Sequence, residues 1–232
     1  MAQPNVAASV PLAGSEKEPA SGTLAATVVV SRHPLVQHKM ARLRDRTTGP
    51  AAFRDLVRDL SQFLFYEATP DLRLAPVTVA TPLAECRCQC LADRIGLMPI
   101  LRAGLSMAEA ILEVVPEARV WHLGLYRDHQ TLRPVTYYNK LPAEPAIDLS
   151  LVVDPMLATG GSAAAAVDLL KRWGARRIKF LGLIAAPEGV AALQAAHPDV
   201  PIHLAAVDSH LDERSYIVPG LGDAGDRQFG TL

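Results

Sequence analysis

The sequence Leu151-Val-Val-Asp-Pro-Met-Leu-Ala-Thr-Gly-Gly-Ser162 joins an apolar run of strand length to the start of a helical segment. The apolar run ends at Asp154, and two glycines lie between two hydroxyl residues where the helix would begin. Strand–loop–helix units of this kind build parallel sheets, whose ligands bind in the crevice beyond the carboxyl ends of the strands. The unit therefore predicts an α/β protein whose functional loops follow its strands.

The segments around this unit repeat the alternation of strands with helices of 10 to 15 residues. Apolar residues spaced three and four apart predict the helices, and short apolar runs predict the strands. The expected strands are Leu97–Leu101, Arg119–Tyr126, Asp148–Val153, Ile178–Ile184 and Ile202–Val207, with β-like alternation over Pro76–Cys90. The expected helices are Pro50–Glu67, Leu105–Val115, Ser162–Trp173 and Pro187–Ala196. This order predicts a mainly parallel, twisted, Rossmann-like sheet flanked by helices.

Composition excludes several classes of protein. Residues 1–27 are small and polar without periodicity, so we expect a disordered extension before a single domain over residues 28–232. Apolar runs long enough for a membrane span are absent, and the amino terminus lacks the basic start and apolar block of a secretory signal. A net charge of -1 argues against binding along a nucleic acid. We therefore expect a cytoplasmic protein with neither a nucleic-acid nor a membrane partner.

The loop after Val153 has the features of a phosphate-binding site. The N–H groups of the first turn of a helix have no partner within the helix, and the helix dipole favours an anion there. Thr159 and Ser162 add hydroxyls, and Asp154 would meet a sugar hydroxyl if a 5-phosphate filled the cradle. The alternative is an ordinary strand–helix connection capped by Thr159. The spacing matches neither a Walker loop nor a Gly-x-Gly-x-x-Gly dinucleotide motif.

This loop resembles the phosphoribosyl-diphosphate-binding loop of the uracil phosphoribosyltransferase family, in which a proline such as Pro155 replaces a second acid. Four further stretches resemble motifs of that family in the same order, so the likeness covers residues 32 to 232. They are His33-Pro-Leu-Val-Gln-His-Lys39, Tyr66-Glu-Ala-Thr-Pro-Asp71, Pro99-Ile-Leu-Arg-Ala-Gly-Leu105 and Tyr216-Ile-Val-Pro-Gly-Leu-Gly-Asp-Ala-Gly-Asp-Arg227. Two positions depart from the pattern, because Ser106 and the Arg214-Ser215 pair stand where the family usually has a glycine.

The resemblance implies a phosphoribosyltransferase-type fold and the conversion of uracil and 5-phospho-α-D-ribose 1-diphosphate into UMP and diphosphate, a pyrimidine salvage reaction. It assigns catalytic roles to Asp154, Arg102 and Asp223. The implied phosphoribosyl diphosphate contacts are Arg102, Arg127, Asp154, Pro155, Met156, Leu157, Ala158, Thr159, Gly160, Gly161, Ser162 and Asp223. The implied uracil contacts, on a glycine-rich carboxyl-terminal segment, are Ile217, Gly222, Asp223 and Ala224.

The same resemblance implies a cofactor, an oligomer and an effector. Mg²⁺ would be carried by the diphosphate, with Asp223 as a contact, and no metal site made by the protein alone is visible. A homodimer or homotetramer is usual in the family, and GTP activates some members, which makes GTP a candidate effector. The polar segment Asp128–Pro142 has the length of a flexible flap that would close over the site.

Other signals have simpler interpretations. Cys86, Cys88 and Cys90 would lie on one side of a strand without the spacing of a zinc site. The three histidines His33, His38 and His122 are interpreted as structural. We expect Arg42, Arg44 and Arg46 to form a solvated helix face, with an effector site as the alternative. The rival to an enzyme is a nucleotide-sensing or RNA-binding regulator on the same scaffold, since a fold alone does not determine function.

Overall fold

A computed structural model describes residues 27–122, 124–127, 134–138 and 141–231, and describes no side chains in 124–127 and 134–138. The predicted disorder of residues 1–27 falls almost wholly outside this range. The strands are β1 (Val28–Val30), β2 (Leu74–Ala80), β3 (Glu85–Leu91), β4 (Ile95–Pro99), β5 (Arg119–Val120), β6 (Gly124–Arg127), β7 (Pro134–Tyr138), β8 (Leu149–Val153), β9 (Met156–Leu157), β10 (Ile178–Ala185), β11 (Ile202–Val207), β12 (His210–Leu211) and β13 (Ile217–Val218). The helices are α1 (Pro34–Arg44), α2 (Pro50–Ala68), α3 (Leu105–Val114), α4 (Gly161–Trp173), α5 (Pro187–Ala196) and α6 (Ala224–Phe229).

A parallel sheet forms the centre of the molecule, as the alternation predicts. Within the described residues its strand order is β1-β11-β10-β8-β4-β5, and β9 pairs with β10 just beyond the end of β8. The strands β8 and β10 are buried along their whole length. Such strands read as continuous apolar runs because helices cover both faces of the sheet.

Alternation of side chains along the strands divides the interior into two cores. In β8, Leu151 and Val153 pack in the cluster of α1, α2 and α3, whereas Val152 packs in the cluster of α4 and α5. Successive side chains of a strand point to opposite faces, so one apolar strand serves both cores. The predicted α/β class, with a mainly parallel sheet between helices, is confirmed.

Two of the expected strand segments are wrong in extent. The expected strand Arg119–Tyr126 is two strands: β5 pairs with β4 at the edge of the central sheet, and β6 leaves the sheet to pair with β7. Pro76–Cys90 is not one segment but most of an antiparallel hairpin, in which β2 pairs with β3 around a turn at Thr81–Ala84. Local alternation cannot tell which strand a segment pairs with, so it misses both divisions.

Candidate active site

The loop between β8 and α4 places Asp154 at the carboxyl end of the sheet. The main chain of Asp154 still bonds to β10, with its N–H donating to the Leu181 carbonyl at 3.2 Å. The chain then runs through β9 and turns at Gly160, whose φ of 78° is readily adopted only by glycine, and α4 begins at Gly161. A cavity of about 80 Å³ is lined by Asp154, Met156, Leu157, Ala158, Thr159, Gly160, Ser162 and Ala163. The structure thus brings the predicted phosphate cradle and Asp154 together.

Two glycines hold this loop against α5. A Cβ on Gly160 would lie 2.7 Å from the Gly189 carbonyl oxygen, and a Cβ on Gly189 would overlap the main chain of Leu157 and Ala158. The close approach of α5 to the loop therefore requires glycine on both sides. Sequence reasoning missed Gly189, because a glycine near the start of a helix carries no signal of the loop that packs against it.

The carboxyl of Asp154 has an unusual environment. Burial raises its pKa to about 7, although the backbone N–H of Met156 donates to it at 3.4 Å, and the nearby charge of Asp223 raises the pKa further. The acid that follows β8 and the acid in the carboxyl-terminal segment therefore face one site. Two carboxylates in such an environment favour a cation or a sugar hydroxyl between them.

Arg102 joins the same site from β4. Its guanidinium makes an ion pair with Asp226 at 3.0 Å, and its side chain remains 58% exposed. Asp226 lies in the first turn of α6, whose N-cap is Asp223, with Asp223 Oδ1 accepting from the Asp226 N–H at 2.9 Å. In the described residues Arg102 is therefore held beside the predicted uracil segment, with most of its surface open to an anion.

The carboxyl-terminal segment has more regular structure than its sequence predicts. It holds β13 and α6, joined by a stretch in which Gly220 and Gly222 have φ of 64° and 78°. The side chains of Ile217 and Ala224 are buried in the core beside α2, so these residues offer a ligand their backbone groups. Its sequence shows no helical or strand period because elements of two and six residues are too short to produce one.

Arginine side chains that sequence reasoning did not place at the site support this segment. Arg44 makes an ion pair with Asp208, so the expected solvated face of Arg42, Arg44 and Arg46 is wrong at Arg44. Arg46 lies beyond the end of α1. Helical periodicity does not reveal an ion pair with a residue far away in the sequence. The prediction that Arg44 is solvated was therefore wrong.

The two departures from the family pattern differ in their backbone. Ser215 has a φ of 66°, the left-handed region that favours glycine, and Asp212 holds this turn through its carboxylate and carbonyl. The usual glycine is therefore explained at this position. Ser106 lies in the first turn of α3 and follows Gly104, the N-cap, in a conformation open to any residue.

The remaining candidates are less informative. Arg127 ends β6, and its side chain lies outside the described residues, as do 128–133 and 139–140 of the expected flap. His33 caps α1, its Nδ1 accepting from the Leu35 N–H at 3.2 Å. The thiols of Cys86 and Cys88 lie on one side of β3, 3.7 Å apart. Across the described ranges, no group of three or more histidine, cysteine or acidic side chains could hold a metal ion.

A larger cavity, of about 760 Å³, opens at the opposite end of the strands. Most of its charged lining is already paired: Arg94 binds Asp148 at 2.9 Å, and Arg177 binds Asp71 at 3.1 Å. The carboxyl ends of the strands bring Arg102, Asp154 and Asp223 together with a helix N-terminus, which is chemically better suited to a polyanionic sugar. Among the described residues no helix is long and apolar enough to cross a membrane.

Comparisons with known proteins find similar sequences and structures over most of this chain. A family model described as uracil phosphoribosyltransferase matches residues 30–231. A protein of that name from Roseiflexus castenholzii is 68% identical over 204 residues, which are 88% of this chain and 98% of the relative. Another, from Symbiobacterium thermophilum, is 60% identical over 205 residues, 88% of this chain and 98% of the relative. The solved structure of AQ2163 protein from Aquifex aeolicus matches with 37% identity and a TM-score of 0.82, covering 88% of this chain and 98% of that one.

Proposed function

The chain belongs to the uracil phosphoribosyltransferase family, and from that premise we propose that its site converts uracil and 5-phospho-α-D-ribose 1-diphosphate into UMP and diphosphate. The observation that carries the proposal is the meeting of three segments: the Asp154 loop, Arg102, and the glycine-rich segment that begins α6. Each segment supplies one part of the chemistry. A regulator without transferase activity would have no need for all three, and the relatives favour the enzyme.

The phosphoribosyl group would lie on the loop between β8 and α4. The first-turn N–H groups of α4, with the hydroxyls of Thr159 and Ser162, suit the 5-phosphate. Asp154 is then in reach of the ribose hydroxyls. Gly160 and Gly161 let a phosphate approach the backbone, since a Cβ on Gly161 would meet only the Thr159 hydroxyl, at 3.8 Å.

The reaction replaces the bond from the anomeric carbon to the diphosphate oxygen by a bond to a uracil ring nitrogen, and the ring nitrogen loses its proton. Positive charge develops on the ribose as the diphosphate leaves. The ionised carboxylate of Asp154 would stabilise that charge electrostatically, without taking a proton from the sugar. Because burial raises the pKa of Asp154, ligand binding has to stabilise the ionised form of its carboxyl.

The leaving diphosphate would meet Arg102. A guanidinium donates to two phosphate oxygens at once, and the exposed face of Arg102 leaves such donors available beside its ion pair with Asp226. Arg127 is the last residue of β6, and we assign it to the diphosphate as well, as the family resemblance implies. Closure of the segment 128–142 over the site would exclude water from the reactive cation.

Uracil would be read by the backbone of the segment after Pro219. Its ring edge alternates donors and acceptors, which the N–H and carbonyl of Gly222 and the N–H of Asp223 can match, since the Asp223 carbonyl already accepts from the Arg227 N–H at 3.0 Å. Ile217 and Ala224 fix this stretch in the core, leaving it little freedom to adapt. A base with an exocyclic amine would leave buried polar groups unpaired, which costs about 1–3 kcal/mol per group.

Mg²⁺ fits this site as a partner of the diphosphate. The two acids Asp154 and Asp223 are near enough for the charge of Asp223 to raise the pKa of Asp154, and a hard cation favours one or two carboxylates together with substrate oxygens and water. When bound, the ion would supply charge neutralisation for the diphosphate. Asp223 is the protein residue placed to contact it, and its carboxylate also caps α6.

The proposal includes a homo-oligomer, either a dimer or a tetramer. The hairpin of β2 and β3 carries apolar side chains into solvent, with Leu83 at its tip 96% exposed and Leu74 60% exposed. Exposed apolar clusters of this kind mark contacts between proteins. Light scattering on the purified chain determines the oligomer, and turnover with and without GTP determines whether GTP is an effector.

An assay of both products tests the reaction. The purified chain is mixed with uracil, phosphoribosyl diphosphate and Mg²⁺, and we expect UMP and diphosphate in equal amounts, with no reaction in excess chelator. Asp154→Asn and Arg102→Ala should lower turnover at least about tenfold while the fold survives. The matched control is Asp55→Asn, an acid on the exposed side of α2. Near-normal turnover in either site variant would remove that residue from the mechanism.

A further inference from the structure

The stretch proposed to read uracil is fixed at Gly220 by two side chains that lie outside the assigned contacts. The Gly220 N–H donates to Asp208 Oδ2 at 2.8 Å, and the Gly220 carbonyl accepts from Arg44 Nη1 at 2.8 Å. Arg44 Nη1 also donates to Asp208 Oδ2 at 2.7 Å. One ion pair therefore holds both polar backbone groups of a single residue.

Both members of this ion pair are attached to regular secondary structure. Asp208 follows β11, at the carboxyl end of the central sheet, and Arg44 is the last residue of α1. The side chain of Asp208 is only 4% exposed and that of Arg44 is 25% exposed. A carboxylate removed from water to this degree needs its partners, so the three groups constrain one another.

The conformation at Gly220 explains why such a fixed point is useful. Its φ is 64°, and a Cβ there would overlap the carbonyl oxygen of Ile217. The chain turns tightly here, two residues before Gly222, which has its own left-handed φ of 78°. A small change in the orientation of Gly220 would therefore rotate the backbone groups that face the base.

A second arginine, on α6, also joins the uracil segment to the end of α1. Arg227 of α6 donates to the Leu221 carbonyl at 2.8 Å and to the Leu43 carbonyl of α1 at 2.9 Å. Its guanidinium lies over the Phe53 ring, 4.4 Å from the ring centroid. The end of α1 is thus bound to the uracil segment on both sides of Gly222.

We propose that Arg44 and Asp208 are positioning residues for uracil recognition, which hold the backbone of Gly220 so that the groups at Gly222 and Asp223 face the base. This inference rests on the proposed function. Neither residue contacts the Asp154 loop or Arg102 among the described contacts. Their effect should therefore be larger on uracil binding and base discrimination than on phosphoribosyl diphosphate, to which only Asp223 of this stretch is assigned.

Steady-state kinetics on four variants of the full chain test the inference. Arg44→Ala should raise KM for uracil by about tenfold, the effect of one or two lost hydrogen bonds to charged groups, and leave KM for phosphoribosyl diphosphate within about twofold. Asp208→Asn should shift the same constant in the same direction. Arg44→Lys keeps the charge and should recover most of the loss. Arg42→Ala is the matched control, because Arg42 lies on the same helix and is exposed.

A purely structural role would give a different result. Lower thermal stability with equal changes in both KM values, or an unchanged KM for uracil in folded Arg44→Ala, would overturn the inference. Should Arg44→Ala fail to fold, the split between the two KM values in Asp208→Asn decides the question. A wild-type chain that makes no UMP refutes the proposed function, whereas an active wild type with unaffected variants refutes only the positioning role.

Discussion

The carboxyl of Asp154 lies close enough to Asp223 for the charge of Asp223 to raise its pKa, although the two acids belong to segments far apart in the chain. Asp154 follows the central strand β8, and Asp223 is the N-cap of the helix α6. The site is therefore assembled from the sheet and from the carboxyl-terminal segment. A site with two acids and a neighbouring arginine is suited to a sugar that bears phosphates, a cation and a developing positive charge.

The raised pKa of Asp154 predicts a pH dependence of activity. If the charged carboxylate stabilises the ribose cation, kcat/KM for phosphoribosyl diphosphate should rise with pH and level off above about 7, the pKa of the free protein. Initial rates between pH 5.5 and 9, with Mg²⁺ in constant excess, measure the profile. Asp154→Asn should lose both most of the rate and the rise. A wild-type profile that is flat across this range would contradict the electrostatic role.

The same carboxyl predicts a pH dependence of stability of opposite sign. The folded pKa of about 7 lies above the ordinary aspartate pKa of 3.8, so between these values the folded chain binds a proton that the unfolded chain does not. This contribution is fully present below the lower pKa and is lost as pH rises through the folded pKa of about 7, at up to about 1.4 kcal/mol per pH unit. Chemical unfolding at a series of pH values measures it. Asp154→Asn should remove this part of the slope and unfold less easily than wild type at pH 8.

A substitution at Gly189 of α5 should displace the loop that forms the phosphate cradle. In Gly189→Ala the new methyl group would overlap the main chain of Leu157 and Ala158, so α5 or the loop must move. We expect a raised KM for phosphoribosyl diphosphate and a loss of about 1–3 kcal/mol of unfolding free energy. Gly49→Ser is the control, because no atom lies within 4 Å of a Cβ placed there and serine is a good N-cap for α2. Wild-type kinetics in Gly189→Ala would show that the close packing is unimportant.

Restoring the family's glycine before Tyr216 should stabilise the protein. Ser215 adopts a φ of 66°, a conformation that costs a residue with a side chain about 1–2 kcal/mol. Glycine avoids this cost, but it offsets part of the gain because it increases the conformational entropy of the unfolded chain. Ser215→Gly should therefore raise the unfolding free energy by about 0.5–1 kcal/mol, with unchanged kinetics. Thermal melting measures the effect. Ser209→Gly, at an exposed position without positive φ, is expected to lower stability instead, and a gain there would discredit the explanation.

The sequence predicted the central sheet well because buried parallel strands and amphipathic helices have strong local patterns. The helix Pro187–Ala196 and the strand Ile202–Val207 agree with the expected bounds, and Asp154 and the cradle lie where the motif places them. The predictions failed where structure depends on distant partners. The path of β6, the ion pair of Arg44 and the packing of Gly189 all depend on residues far away in the sequence, so no local pattern encodes them.

Transfer of a phosphoribosyl group to uracil by this chain is tested by a choice among bases. The wild-type chain is incubated with phosphoribosyl diphosphate and Mg²⁺ and with uracil, cytosine, hypoxanthine or orotate in separate reactions, with GTP present and absent. We expect UMP and an equal amount of diphosphate from uracil alone. Nucleotide from another base in preference to uracil, or no nucleotide from any base with or without GTP, would contradict it.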